Sequence, residues 1–477
     1  MLRALAPVAA LLLSVAFMLM GNGLQSTLLP MRAQLEAYSS VEIGVLGSAY
    51  FVGFALGCWR GAILIRRAGH IRTFAAVVAI SSTSALVHAL VTEPMVWWAV
   101  RLLSGACVAI LFMVIESWLN EKSTNETRGL VFSVYTAINL TVISIGQLMI
   151  AFGNPEGFPL FLMASILISW AAVPVAMTKS ESPAPPEQIG VRIRYLLRLS
   201  PVGFIGSFVV GVTNGAFWAL APVVAQGGTS NTALAAIFIA VAVIGGAAGQ
   251  YPLGKISDRM DRRRLIVVVA GLAALSGIGL GIFGASGQTL LMIIGFIFGV
   301  FAFPLYSLCV AHANDFVEGK SFVEAASGLL LTYAAGAVVG PILASIVISQ
   351  AGTGGLFFFT AAIHVIFAGF VILRIRRRDP VPEAERGDFV EAATAGLTIL
   401  PMDTGLSTQD DSEVPETSET GDDVPEGSGA DADGADADGA DADGADADGA
   451  DADGIGEPES ATTDDAQPET GDDGRKP

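Results

Sequence analysis

Residues 254–264 read GKISDRMDRRR, a strongly charged stretch that lies between two apolar runs. The runs lie near residues 232–256 and 265–284. Each is close to the roughly 20 residues that a helix needs to cross a bilayer core about 30 Å thick. Because lipid offers no hydrogen bonds to the backbone, such runs are predicted to be helical. The charged stretch is therefore predicted to be a short loop between two membrane-spanning helices.

The rest of the chain repeats this pattern. Apolar residues make up 52% of the 477 residues, too large a share for one soluble core under a polar surface. The first run resembles a secretory signal, but no small-residue cleavage pattern precedes Asn22, so we expect it to remain as a span. The predicted fold class is an all-α polytopic membrane protein with twelve spans, near residues 7–31, 41–64, 73–92, 95–118, 129–152, 157–178, 201–225, 232–256, 265–284, 288–312, 324–350 and 354–375.

The formal net charge of −19 arises from the end of the chain. Residues 1–378 hold 23 basic and 14 acidic residues, a net charge of +9, whereas residues 379–477 hold 3 and 31, a net charge of −28. Five GADAD repeats fill residues 429–453. A segment so acidic and so poor in apolar residues is predicted to be disordered. Binding of a basic partner, shielding of the cytoplasmic arginines and simple solvation remain open as its roles.

Basic residues flank the predicted spans on one side of the membrane. If both termini are cytoplasmic, the outside loops receive only Arg32. The inside loops then receive Arg66, Arg67, Arg72, Lys122, Arg128, Lys179, Arg192, Arg194, Arg198, Arg259, Arg262, Arg263, Arg264, Lys320 and Arg374 to Arg378. Since loops rich in Lys and Arg stay in the cytoplasm, we expect both termini to be cytoplasmic.

An internal repeat relates the two halves of the chain. With an offset of 192 residues, Asn22-Gly23 aligns with Asn214-Gly215, and Pro30 with Pro222. Further matches, at this offset or at 194, are Gly57 with Gly249, Arg67 with Arg259, Arg72 with Arg264, Gly105 with Gly299 and Asn120 with Asn314. Two halves in the same membrane orientation are typical of transporters that bind their substrate between the halves.

The repeat and the change in composition together predict four segments. Two pseudo-symmetric six-helix bundles cover residues 1–178 and 201–378. A cytoplasmic linker over 179–200, which contains SESPAPPEQ, joins them, and the disordered acidic cytoplasmic tail covers 379–477.

The charged stretch that opens this section resembles a known signature. Residues 254–263 match the cytoplasmic loop motif G-x-x-x-D-R-x-G-R-R of the major facilitator superfamily, with Asp261 in place of the second glycine. The resemblance implies the fold of that superfamily and a charge latch that closes the cytoplasmic side. The first-half counterpart, residues 62–72, departs from the motif because Arg66 stands where the aspartate belongs. The residues assigned to this cytoplasmic gate are Gly254, Asp258, Arg259, Arg262, Arg263, Arg67, Gly69, Arg72 and Glu116. The alternative is that the arginines only fix the topology.

Arg101 lies deep within the fourth predicted span, where a charge is costly unless it is paired or hydrated. Arg101, Gly105 and Ala109 recur every four residues and so share one helix face. The sequence RLLSG resembles the R-x-x-Q-G motif of proton-linked superfamily members, with Ser104 in place of the glutamine. The resemblance implies a role in proton coupling. A structural arginine that donates to carbonyls of the first span is the alternative.

Residues 114–129, together with the variant loop at 257–263, resemble the YcaD-type subgroup of bacterial major facilitator proteins. The resemblance covers residues 1 to about 378 and implies a bacterial inner (plasma) membrane protein. It supplies no substrate. Glu116 lies 15 residues beyond Arg101, which is about 22 Å along a helix, so we expect it to gate or to anchor a loop.

Polar and aromatic residues recur in the symmetry-related first and seventh spans. Such residues usually face the interior of a helix bundle. We expect the substrate cavity to include Asn22, Gln25, Ser26, Asn214 and Trp218. The alternative for each is a hydrogen bond that only holds two helices together.

These features favour secondary active transport of a small molecule by alternating access, with protons as the coupling ion. A non-transporting membrane scaffold or sensor, with the acidic tail as its output, is the alternative and fits the altered first-half loop. The sequence contains no phosphate-binding loop, zinc motif or nucleophile elbow, so we expect no enzyme activity, cofactor or metal. The expected partners are a small-molecule substrate and the lipid bilayer, without nucleic acid, and we expect a monomer.

Overall fold

The computed structural model describes residues 5–178, 193–226, 232–317 and 321–377. These residues belong to one compact unit within Met1–Gln409. The predicted tail over 379–477 and most of the predicted linker, 179–192, lie outside them. Within the described ranges all regular structure is helical, without strands, and twelve helices are long and apolar enough to cross a membrane.

The predicted spans are confirmed, with small shifts at their ends. The helices are α1 (Ala9–Leu35), α2 (Ser40–Ala68), α3 (His70–Leu90), α4 (Pro94–Lys122), α5 (Asn125–Leu148), α6 (Pro159–Trp170, continued by Ala172–Met177), α7 (Pro201–Gln226), α8 (Thr232–Arg259), α9 (Arg262–Phe283), α10 (Gln288–Ala302, continued by Leu305–Asn314), α11 (Ser321–Ala351) and α12 (Gly355–Ile375). Short 3₁₀ turns cover Ala6–Val8 and Met149–Phe152, and a short helix covers Ile193–Leu199. This last helix was not predicted and occupies the end of the predicted linker.

Local sequence signals explain where the helices begin and end. Ser39 and Glu42 form a capping box at the start of α2, with the Ser39 amide 2.7 Å from a Glu42 carboxylate oxygen. Gly69 has a φ of +81°, which few other residues adopt, and it separates α2 from α3. Pro304 has no backbone N–H and follows the point where α10 is interrupted.

The helices of each half pack in the same pairs. In the first half α1 packs on α5, and α2 on α4; in the second half α7 packs on α11, and α8 on α10. Glycines make the close approaches. A Cβ at Gly105 would lie 2.0 Å from the Tyr50 carbonyl oxygen, and a Cβ at Gly299 would lie 1.9 Å from the Ala242 carbonyl oxygen. The matched pair Gly105 and Gly299 thus plays one packing role twice, which agrees with the predicted pseudo-symmetric fold.

The two halves meet at the end of the molecule where α2 begins and α11 ends. There Gly44 packs against Ser345, Gly47 against Ala219, and the Ser48 hydroxyl donates to the Val338 carbonyl oxygen at 2.7 Å. Within the part of the chain that the structure describes, α4 and α10 pack side by side only with helices of their own half. Contact between the halves is therefore concentrated at one end.

Candidate functional site

A cavity lies between α1, α2, α4, α5 and α7. Most of its lining is apolar, and its polar or amphipathic side chains are Asn22, Ser26, Tyr50, Arg101, Gln147 and Trp218. The centre of a water-sized sphere can occupy about 50 Å³ of it. That space is enough for a few water molecules, so the cavity is narrow.

Arg101 is the only charged residue among the described residues that line the cavity. Its side chain is 8% exposed, and its guanidinium carbon lies 4.3 Å from the centre of the Tyr50 ring. Its Nη1 has no hydrogen-bond acceptor within the described ranges. An arginine charge at the centre of a membrane helix costs about 2.5 to 3.5 kcal/mol on insertion scales. The ring contact offsets about 2 kcal/mol or less of such a cost.

The helix face that carries Arg101 has two roles: Arg101 lines the cavity, and the residues below it pack against α2. Gly105 and Ala109 lie against α2, because a Cβ added to Gly57 would lie 2.8 Å from the Ala109 Cβ. Nη1 of Arg101 donates to no carbonyl of α1 among the described residues.

The second half contributes an aromatic wall to the cavity. Trp218 stacks on Phe303, with ring centres 5.8 Å apart and planes 7° apart. Phe303 lies at the interruption of α10, directly before Pro304. The indole nitrogen of Trp218 is buried and has no acceptor in the described part of the protein. Trp218 is therefore a second cavity-lining residue with a buried donor, on the half opposite Arg101.

The structure places four of the predicted cavity and coupling residues together: Asn22, Ser26, Arg101 and Trp218. The Ser26 hydroxyl also donates to the Gly23 carbonyl oxygen at 2.8 Å. Gln25 and Asn214 are buried, but they do not line the cavity.

Sequence analysis missed Tyr50 and Gln147, which do line the cavity. Gln147 is 1% exposed, and its side-chain carbonyl oxygen has no donor among the described residues. A glutamine in an apolar span is unusual, and this could have identified Gln147 as a cavity residue from the sequence. Nothing in the sequence distinguishes Tyr50 from the other aromatic residues of the spans.

A buried ionic cluster lies in the second half, where α8 ends, α9 begins and α10 ends. Arg262 pairs with Asp258 and with Asp315, in each case at 3.3 Å. The side chains of Arg262 and Asp315 are 1% and 3% exposed, and His312 lies 4.0 Å from the same aspartate. The loop residues Asp258 and Arg262 are thus joined to the end of α10 within one half. Asp315 was missed, although it follows Asn314, which the repeat had aligned with Asn120.

Asp261, where the loop motif has glycine, caps α9. Its carboxylate accepts from the Arg263 backbone amide at 3.0 Å and from the Arg263 guanidinium at 3.1 Å. Burial alone would raise the pKa of Asp261, but the hydrogen bonds from Arg263 outweigh it and lower that pKa below its usual value.

A family model described as Major Facilitator Superfamily matches residues 11–317 and 203–406. The chain belongs to the major facilitator superfamily. An MFS-type transporter of Enterobacter sp. strain 638 is 26% identical over 386 residues, which cover 79% of this chain and 98% of the relative. The MFS-type transporter YcaD of Escherichia coli, described as uncharacterized, is 25% identical over 381 residues, with the same coverage. The predicted subgroup is confirmed.

Solved structures share the major facilitator fold at low sequence identity. The nucleoside transporter NupG has a TM-score of 0.67 and 13% identity, and covers 78% of this chain and 99% of its own. A D-xylose-proton symporter has a TM-score of 0.57 and 14% identity, and covers 79% of this chain and 98% of its own. With twelve helices able to span a membrane, this superfamily member is a multi-pass bacterial membrane protein of a transporter family rather than of an enzyme family.

In this superfamily member the first-half loop is arranged differently from the second. Arg67 and Arg72 are exposed, and the imidazole Nε2 of His70 lies 3.1 Å from the Ser117 hydroxyl. The Tyr135 hydroxyl donates to Glu116 at 3.4 Å, which ties α4 to α5. In the second-half loop, Gly254 is buried and Arg259 is exposed. The side chain of Arg128, at the start of α5, lies outside the described residues.

Proposed function

We propose that the protein is a secondary active transporter that moves a small molecule by alternating access and couples this movement to protons. The supporting observation is Arg101, a buried charge without a carboxylate partner in a cavity between two halves. Such a charge is costly in a membrane and is usually retained for function.

The distribution of contacts supports alternating access. Residues 1–178 and 201–378 touch mainly where α2 begins and α11 ends. The cavity holds only a few water molecules, and rocking of the two halves would change both its size and the side of the membrane to which it opens. With both termini in the cytoplasm, the closed end is the outer end, and the present conformation faces inward.

Proton coupling needs a group that titrates, because arginine keeps its proton in proteins. His88 lies in α3 and is 1% exposed. Its Nδ1 lies 2.7 Å from the Ser84 carbonyl oxygen, and its Nε2 has no hydrogen-bond partner within the described ranges. In this proposal His88 is the group that takes up and releases the coupled proton.

The test is the internal pH of proteoliposomes during a screen of anionic, neutral and cationic solutes. We expect one class of solute to move protons, Arg101→Gln to abolish this signal, and His88→Gln to leave solute movement without proton movement. Arg60→Gln is the matched control, because Arg60 also lies over an aromatic ring, Trp59 at 4.4 Å, but is exposed and outside the cavity.

Each outcome separates two explanations. Solute movement without protons in wild type contradicts the coupling, and an active Arg101→Gln protein contradicts the role of Arg101. Silence across the whole panel favours the scaffold or sensor alternative.

We further propose that the protein lies in the inner membrane with both termini cytoplasmic, on the basis of the basic loops, and that it is a monomer. Alkaline phosphatase, which is active only in the periplasm, should be active when fused after Gly352 and inactive when fused after Arg377. The reverse pattern would contradict the topology and, with it, the inward-facing assignment.

A further inference from the structure

We propose that the cavity binds a small organic anion, whose anionic group is held by Arg101 and the Trp218 indole N–H and whose body lies against the aromatic lining. This inference rests on the proposed transport function and names the substrate class of the same site.

Two residues that line the cavity, one from each half, each carry a buried donor without an acceptor among the described residues. The donors are Nη1 of Arg101 and Nε1 of Trp218, and each side chain is 8% exposed. Buried donors normally find a partner, because an unmade hydrogen bond in a low-dielectric site is costly. Both groups can only donate, so the ligand atom that satisfies them must be an acceptor.

The charge balance of the cavity makes that acceptor an anion. No aspartate or glutamate is found among the described residues that line the cavity, and no described carboxylate forms an ion pair with Arg101. A cationic ligand would be repelled, and a neutral ligand would leave the buried charge uncompensated. A carboxylate or a phosphate accepts two parallel hydrogen bonds from a guanidinium, which is the strongest pairing open to Arg101.

Most of the remaining lining is apolar and favours an apolar body, with Asn22, Ser26 and Gln147 as the polar exceptions. Tyr50, Phe51 and Phe112 lie on the first-half side, and Trp218 lies on the second-half side. The cavity is narrow, so a planar or short branched body fits it better than a highly hydroxylated one. We therefore assign the ligand to the class of small aromatic or branched organic acids.

An anion held between Arg101 and Trp218 would bridge the two halves. Arg101 belongs to α4, and Trp218 belongs to α7. Binding would add an attraction across the boundary that moves during rocking, and the ligand would thereby favour closure around itself.

The experiment measures ligand-induced thermal stabilisation of the full-length protein in detergent. The probes share one ring and differ in charge: phenylacetate and phenyl phosphate as anions, phenylacetamide as the neutral isostere, and phenethylamine as the cation. We expect saturable stabilisation by one or both anions and at least tenfold weaker binding of the neutral and cationic probes. Carboxylate and phosphate are distinguished by which of the two anions binds more tightly.

Variants locate the site. Arg101→Gln should weaken anion binding at least tenfold, Arg101→Lys should retain part of it because a charge remains, and Trp218→Phe should weaken it a few-fold. Arg60→Gln should bind as wild type does. Equal stabilisation by the neutral probe, unchanged binding in Arg101→Gln, or the absence of anion binding in wild type would each overturn the proposal.

Binding in detergent does not depend on transport, so the two proposals can fail separately. Anion binding without flux in proteoliposomes would sustain the anion site and contradict the transport function. Flux restricted to neutral or cationic solutes would sustain transport and contradict the anion site.

Discussion

The two halves of the protein share one helical framework but differ in where they place their charges. In the first half, Arg101 lies in the cavity and the loop arginines Arg67 and Arg72 are exposed. In the second half the cavity wall is aromatic, and the loop carries a buried ionic cluster around Arg262. The two halves therefore keep the same backbone packing although their charged residues lie at different positions. Both halves keep the close helix approaches, whereas the buried charge lies in the cavity in the first half and beside the loop in the second.

The largest expected effect comes from breaking the second-half cluster. Asp315→Asn leaves the Arg262 charge buried with one partner fewer, and removing one member of a buried pair typically costs about 3 to 5 kcal/mol. Arg264→Gln, an exposed neighbour, should change the free energy of unfolding by about 0.5 kcal/mol or less. SDS-induced unfolding in mixed micelles measures both.

The double variant Arg262→Gln with Asp315→Asn removes both charges. It should recover part of the free energy of unfolding that Asp315→Asn loses. If Asp315→Asn unfolds as easily as Arg264→Gln does, the cluster does not stabilise the second half.

Matched glycine-to-alanine substitutions in the two halves should lower the free energy of unfolding by similar amounts. A Cβ at Gly53 would lie 1.8 Å from the Leu102 carbonyl oxygen, and a Cβ at the aligned Gly245 would lie 2.2 Å from the Phe296 carbonyl oxygen. Alanine at either position should cost about 1 to 3 kcal/mol through overpacking. Gly271→Ala is the control, because nothing lies within 4 Å of a Cβ there. Very different losses at Gly53 and Gly245 would show that the two helix pairs are not equivalent in energy.

A smaller effect is expected at Asp261, which distinguishes the second-half loop from the family motif. Asp261→Gly restores the motif residue but removes the cap of α9 and the ion pair with Arg263, and should cost about 0.5 to 1 kcal/mol, of which only a few tenths come from the cap. Because the folded protein lowers the pKa of Asp261, its charge stabilises the fold above the unfolded pKa, and this contribution is lost as pH falls through the folded pKa.

The stability difference between wild type and Asp261→Asn should therefore be constant near neutral pH and shrink below about pH 4. Unfolding curves at several pH values measure it. A difference that grows on acidification would mean that the carboxylate is not the stabilising form.

The smallest expected effect is on the first-half loop. Arg67→Gln should change the free energy of unfolding by about 0.5 kcal/mol or less, because Arg67 is exposed. If Arg67 acts in the cytoplasmic gate, transport should slow while stability stays unchanged. Unchanged transport would instead favour the alternative that this arginine only fixes the topology.

The sequence was sufficient for the fold because span length and the repeat are properties of the chain itself. It also indicated Arg101 and Trp218, because a charge or an indole in an apolar run is unusual. It did not indicate Asp315, which lies just beyond α10, because spacing along one helix does not determine which neighbouring helix its end will contact. Gln25 and Asn214 do not line the cavity in this conformation, since helix rotation and packing decide which polar residues of a span reach it.

The stacking of Trp218 on Phe303 has a practical consequence. Five tryptophans lie in the first half, at positions 59, 97, 98, 118 and 170, and Trp218 is the only one in the second. Indole emission depends on the polarity around the ring, and Trp218 borders the cavity that would open and fill in the proposed transport cycle. The protein thus carries an intrinsic optical probe at the boundary between its halves, and stopped-flow fluorescence would time the proposed rocking step without an attached dye.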